Sequence, residues 1–84
     1  MPTNMEDLWK QIQPRCLEAF GESTYQNWIA PLRIKDFLTG LLVIAAPSRF
    51  VRDWVQKNCM QKILNLLQQH DKAILALDFI VEAP

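Results

Sequence analysis

The sequence predicts a single α+β domain, and three observations carry that expectation. Helical apolar spacing and period-two alternation occupy separate stretches, in the order helix, helix, strand, strand, helix, strand. A helical stretch joins the second and third strands, so if those strands run parallel the helix crosses one face of a small mixed sheet. Half of the 84 residues are apolar and no linker, repeat or low-complexity stretch intervenes, so residues 1–84 read as one two-layer domain. Its three-stranded sheet packs against the helices in an α-α-β-β-α-β order that is KH-like.

The first helix opens on Thr3-Asn4-Met5-Glu6, which has the form of a capping box. Leu8, Ile12, Cys16 (or Arg15) and Ala19 follow at helical spacing, with Trp9, Leu17 and Phe20 widening the stripe. Gly21 stops it, since glycine accepts the left-handed conformation that closes a helix. Pro14 deletes one backbone hydrogen bond and crowds the preceding turn, so a bend is expected there, or else two shorter helices. Ser23-Thr24-Tyr25-Gln26 repeats the capping signature and predicts a short second helix to about Ala30, ended by Pro31.

Leu32 to Phe37 alternates apolar and charged residues, as in a half-exposed strand with Arg33 and Lys35 on the wet face. Leu38-Thr39-Gly40 is a hairpin turn, and Leu41 to Ala45 is apolar throughout, suiting an interior strand or a strand at a partner surface. Ser48 then caps one long helix whose stripe runs Val51, Trp54, Val55, Cys59, Ile63, Leu66 and Leu67, ending near His70-Asp71. Arg52, Lys57, Gln61, Lys62 and Gln68 form its wet face. Ala73 to Val81 is the last strand.

Composition excludes several kinds of function. Nine Lys plus Arg against nine Asp plus Glu leave no basic excess for a strong grip on nucleic acid. One histidine, His70, cannot serve both a nucleophile and a base, and no metal-binding spacing joins it to Cys16 and Cys59. These cysteines read as small core residues. With two glycines the chain holds neither a phosphate-binding Walker segment nor the GxxG loop of KH domains. No enzyme activity, cofactor or metal is expected. The first residues lack a secretory signal and no apolar run approaches the ~20 residues of a membrane span, so a cytoplasmic location is expected.

An unusual number of large aromatics remains: three tryptophans, one tyrosine and four phenylalanines. Trp28 and Trp54 lie on apolar stripes and read as core. Trp9 stands one residue off the Leu8-Ile12 line, and Phe50 sits beside Arg49 and Arg52 in the first turn of the long helix. Aromatics exposed next to arginine are common binding hot spots, so Trp9 and Phe50 are the expected contact residues.

Leu8-Trp9, then Trp28-Ile29-x-Pro31-Leu32, then Ala46-Pro47-Ser48-Arg49-Phe50-Val51-x-Asp53-Trp54-Val55 resemble the N-terminal domain (domain I) of the DnaA family of bacterial replication initiators. The resemblance runs from about Met5 to Val81. It implies self-association through helix 1, with Trp9, beside Leu8, at the implicated position, and recruitment of the replicative helicase DnaB through Phe50, beside Arg49. A second helicase-contacting position in the family is acidic, whereas here Thr24 aligns, with Glu22 two residues earlier. The resemblance also implies binding of DiaA- or HobA-like regulators and weak single-stranded DNA contact, for which Arg33, Lys35 and Arg52 are candidates. Two other readings stay open: a stand-alone KH-like module for single-stranded nucleic acid, and a regulatory paralogue lacking the ATPase.

Overall fold

The computed structural model describes residues 5–82. The Thr3 cap of the first helix lies outside them. Helix α1 runs Met5–Phe20 as one element with Pro14 inside it, so the alternative of two helices is not adopted. Leu8, Trp9, Ile12 and Cys16 are its buried residues. Gly21 closes it at φ 87°, its amide donating to Leu17 O at 2.9 Å, as the sequence suggested.

The second helical segment departs from expectation. It begins at Glu22 rather than after a Ser23 cap, as α2 (Glu22–Thr24), and no side chain caps it. It continues as a π-helical turn, Tyr25–Ile29, whose widened ring is closed by Ala30 N donating to Tyr25 O at 2.8 Å.

Strands β1 (Arg33–Leu38) and β2 (Leu41–Ala46) form an antiparallel hairpin in which Leu38 faces Leu41. Both turn residues have positive φ, Thr39 at 48° and Gly40 at 86°, the geometry that matches the twist of a two-residue hairpin. Lys35 is an extra residue in β1: the register passes from Ile34↔Ile44 to Asp36↔Val43. Asp36 Oδ1 accepts from Phe37 N at 2.8 Å within this bulge.

Strand β2 is the centre of the sheet. It pairs in parallel with β3 (Ala76–Val81), giving the order β1-β2-β3. That position explains its unbroken apolar run, and all of it from Leu42 to Ala46 is buried. Strand β3 is shorter than the alternation from Ala73 implied. Leu75 N and Ala76 N both donate to Gly40 O, so the chain joins the sheet only at that point.

The expected single long helix is two. Ser48 caps α3 (Arg49–Asn58) by accepting from Val51 N at 3.2 Å, and α4 follows at Met60–His70. Between them Cys59 takes φ −121° and ψ −18°, outside helical values. Asn58, a weak helix former, turns its Nδ2 back onto Trp54 O at 2.9 Å just before the break. The buried stripe Val55, Cys59, Ile63, Leu67 passes through the break without losing phase, so periodicity alone does not reveal it. Those four residues pack with Ile12, Cys16, Ile29, Leu42, Ile44, Ile74 and Phe79 into one core between helices and sheet. Among the described residues no helix is long and apolar enough to cross a membrane.

Candidate functional site

Two surface features stand out, one for exposed aromatic area and one for an unmet hydrogen bond. The first is built on α3. Its Ser48 cap fixes the first turn, and Phe50 projects from that turn with 71% of its surface exposed. The ring is not loose. Its edge meets Trp28 with centroids 5.4 Å apart and planes at 63°. Trp28 in turn stacks on Trp54, centroids 4.1 Å apart and planes 11° from parallel. Offset stacking and edge-to-face contact are the favoured aromatic geometries, so three rings from two elements form one rigid cluster.

Beside it a depression of about 360 Å³ is lined by Phe50, Asp53, Trp54, Lys57 and Asn58. Arg52 is held sideways by its neighbour, Nε and Nη2 lying 3.0 and 2.9 Å from Asp53 Oδ1. An apolar anchor can therefore enter beside Phe50 with charged groups at the margin, the composition of a protein-docking patch.

Exposure of Phe50 agrees with the sequence reading. Trp28 and Trp54 pack against the core, as their stripes suggested, but both are only half-buried and also form the wall behind Phe50. The legible signal for Phe50 was an aromatic off the apolar stripe, flanked by Arg49 and Arg52. What joins Trp28 to Phe50 and Trp54 is the π turn, which no sequence pattern announced. Arg49 is exposed beside Phe50. Glu22 (exposed) and Thr24 (half-buried) lie on α2, in the segment leading to Trp28, and the ring contacts do not include them.

The expectation that Trp9 stands exposed is overturned. Trp9 and Leu8 are each 4% exposed. Helix α1 is covered on more than one side, by α4, by α2 with the π turn and by β1, so its buried arc is wide enough to take in a residue off the main line. Burial comes at a cost: Trp9 Nε1 has no hydrogen-bond partner among the described residues, a deficit of roughly 1–3 kcal/mol for a buried donor. The ring lines a second depression, of about 500 Å³, together with Lys10 on α1 and Arg33 and Lys35 on β1.

The three candidate DNA-contacting cations do not form a patch. Lys35 is bound to Glu82 at 2.8 Å, which raises its pKa, and Arg52 is engaged with Asp53. Arg33 is exposed on a different element from Arg52. The wet face of α3 and α4 does more than meet solvent. Lys62 Nζ lies 5.2 Å from the centre of the Phe20 ring, and Gln68 Nε2 donates to Ile74 O at 2.9 Å.

Cys16 and Cys59 are buried free thiols. Burial, then the nearby Cys59, pushes Cys16 up to about 11, and burial likewise raises Cys59, so both stay protonated and unreactive. Among the described residues no group of His, Cys, Asp and Glu is arranged to hold a metal.

These features define a class: a small α+β domain, helices on a mixed three-stranded sheet, presenting a rigid aromatic cluster from one helix end. The chain belongs to the DnaA N-terminal domain family, whose sequence profile matches residues 6–69. It is 34% identical over 79 residues to the chromosomal replication initiator protein DnaA of Wolbachia sp. subsp. Brugia malayi, covering 94% of this chain and 17% of that protein. The same-named protein of Wolbachia pipientis wMel is 33% identical over an equal span. That of Roseobacter denitrificans is 32% identical over 76 residues, 90% of this chain and again 17% of the relative. The chain thus spans about a sixth of the length of these relatives.

Proposed function

We propose that the domain is a protein-docking module of a chromosomal replication initiator, without catalysis of its own, that captures the replicative helicase DnaB through the Phe50 cluster. The observation that carries this reading is a phenylalanine 71% exposed yet braced by two tryptophans. A large ring held rigid in water adds little to the fold and loses little entropy on binding, which is how hot spots act. Arg49 flanks the ring, and Glu22 and Thr24 on α2 are the further residues assigned to the helicase contact, Thr24 standing where the family carries an acid.

The same reading includes receipt of DiaA- or HobA-like regulators on the helical face and self-association along α1. With Trp9 and Leu8 buried, self-association depends on them as the supports of the α1 surface, and the touching residues are exposed ones such as Leu17. Several initiators gathered at an origin then turn weak contacts into strong ones, because tethering raises effective concentration. Single-stranded DNA contact by Arg33, Lys35 and Arg52 is a minor activity on this account, since two of the three are already paired.

The experiment is capture of purified DnaB on the immobilised domain, with and without Phe50→Ala. Loss of capture by a variant that keeps its circular dichroism supports the proposal. Undiminished capture refutes it, as does submicromolar, steeply salt-dependent binding of single-stranded oligonucleotide that Phe50→Ala leaves intact, which would make the nucleic-acid module the better reading.

A further inference from the structure

The groove between the first half of α1 and the start of β1 contains polar groups that the fold leaves uncommitted. Its wall includes the Trp9 indole, 4% exposed, whose Nε1 has no hydrogen-bond partner among the described residues. Lys10 and Arg33 line the same groove, and neither enters an ion pair among the described residues. Lys35 and Glu82, also at the rim, are engaged with each other at 2.8 Å. Glu6 also lines the groove and is already engaged, so what remains to be matched is an indole N–H, an ammonium and a guanidinium. All three are donors.

We propose that this groove is a second docking site, distinct from the Phe50 cluster, which takes an acidic side chain presented by a partner protein. The carboxylate sits between Arg33 and Lys10, the guanidinium fork matching its two oxygens, and Trp9 Nε1 donates to one of them or to the adjoining carbonyl. Lys10 and Arg33 are long, exposed side chains free to swing onto the carboxylate, and contact with Trp9 Nε1, which water does not reach, requires the groove to open as the ligand enters. A single carboxylate suits the site better than a polyphosphate. Glu6 and Glu82 both line the groove, and the chain has no net positive charge with which to hold a strand of phosphates. The groove lies on α1 and β1, whereas the aromatic cluster lies on α3 and the π turn, so this proposal stands whether or not the helicase reading does.

The test follows the three indole N–H resonances of the ¹⁵N-labelled chain, that of Trp9 being assigned by its loss in Trp9→Phe. The probe is an acetylated, amidated peptide of alternating glycine and glutamate. The Trp9 resonance moves downfield and saturates, those of Trp28 and Trp54 stay in place, and Arg33→Gln weakens binding by roughly tenfold. Arg33 is exposed, so that variant folds. The proposal is overturned if the Trp9 resonance does not respond or Arg33→Gln binds as the parent does. It also fails if a glutamine version of the peptide acts equally well, since no carboxylate would then be recognised. Tighter binding of a short oligothymidylate at the same resonance would replace it with a phosphate site.

Discussion

The stack of Trp28 on Trp54 is the brace behind Phe50, and its energy can be isolated by replacing each ring with leucine, singly and together. Leucine keeps apolar volume at both positions and removes the ring-on-ring contact, part of the buried area and, in place of Trp28, the edge contact with Phe50. Stacked pairs contribute about 0.5–1.5 kcal/mol beyond their area. Here the planes are 11° apart at 4.1 Å and the rings half-buried, so a coupling near the middle, about 1 kcal/mol, is expected. Each single change should cost about 2 kcal/mol once lost burial is included. For a domain of this size every kcal/mol lowers the melting temperature by about 4–8 °C, so the variants melt well below the parent. The assay is urea unfolding of the four proteins, with the coupling taken from the double-mutant cycle. Costs that add to within about 0.3 kcal/mol would mean that the tryptophans are independent, and the brace would not exist.

Three further outcomes follow from the same structure. Gly40→Ala should destabilise by about 1–2 kcal/mol or more, because φ is 86° and the new methyl would lie 2.9 Å from Leu75 Cδ1; an unchanged urea midpoint would contradict the turn geometry. Ser48→Ala removes the cap of α3 and should cost about 1 kcal/mol in the same assay, an unaltered midpoint showing that the hydroxyl contributes nothing. Cys16 holds its proton longer in the folded chain than in the unfolded one, so stability falls as pH rises from about 9 to about 11. The loss is about 1–3 kcal/mol and should shrink in the unfolding profile of Cys16→Ala, the remainder coming from groups such as Cys59, whose pKa burial also raises; an undiminished loss there would show that Cys16 does not contribute.

Much of this fold was legible because local signals agreed with one another. Gly21, Thr39-Gly40 and Ser48 each sit where the chain must turn or a helix must start, and the apolar run of β2 announced a central strand. Three features escaped for separate physical reasons. The break at Cys59 keeps the stripe from Val55 to Leu67 in phase, so a pattern reader sees one helix. The π turn at Tyr25–Ile29 is a matter of hydrogen-bond register, which side-chain spacing does not encode. Trp9 is buried because α1 is packed on several sides, a tertiary fact that a single helical wheel cannot contain. Phe50 could be found, since an aromatic off the stripe beside arginines has few reasons to be there except contact. Its dependence on Trp28 could not, because the two lie far apart along the chain.

Everything proposed for the α3 surface rests on Phe50 serving a partner and not the fold, and a paired measurement separates the two. The dissociation constant for DnaB is determined by calorimetry for the parent chain and for Phe50→Ala, alongside urea unfolding of both. The account predicts affinity weakened by roughly thirtyfold, as for a hot-spot residue of about 2 kcal/mol, with stability lowered by no more than about 1 kcal/mol. Equal affinities, or a stability loss large enough to explain the weakened binding by unfolding, would contradict it.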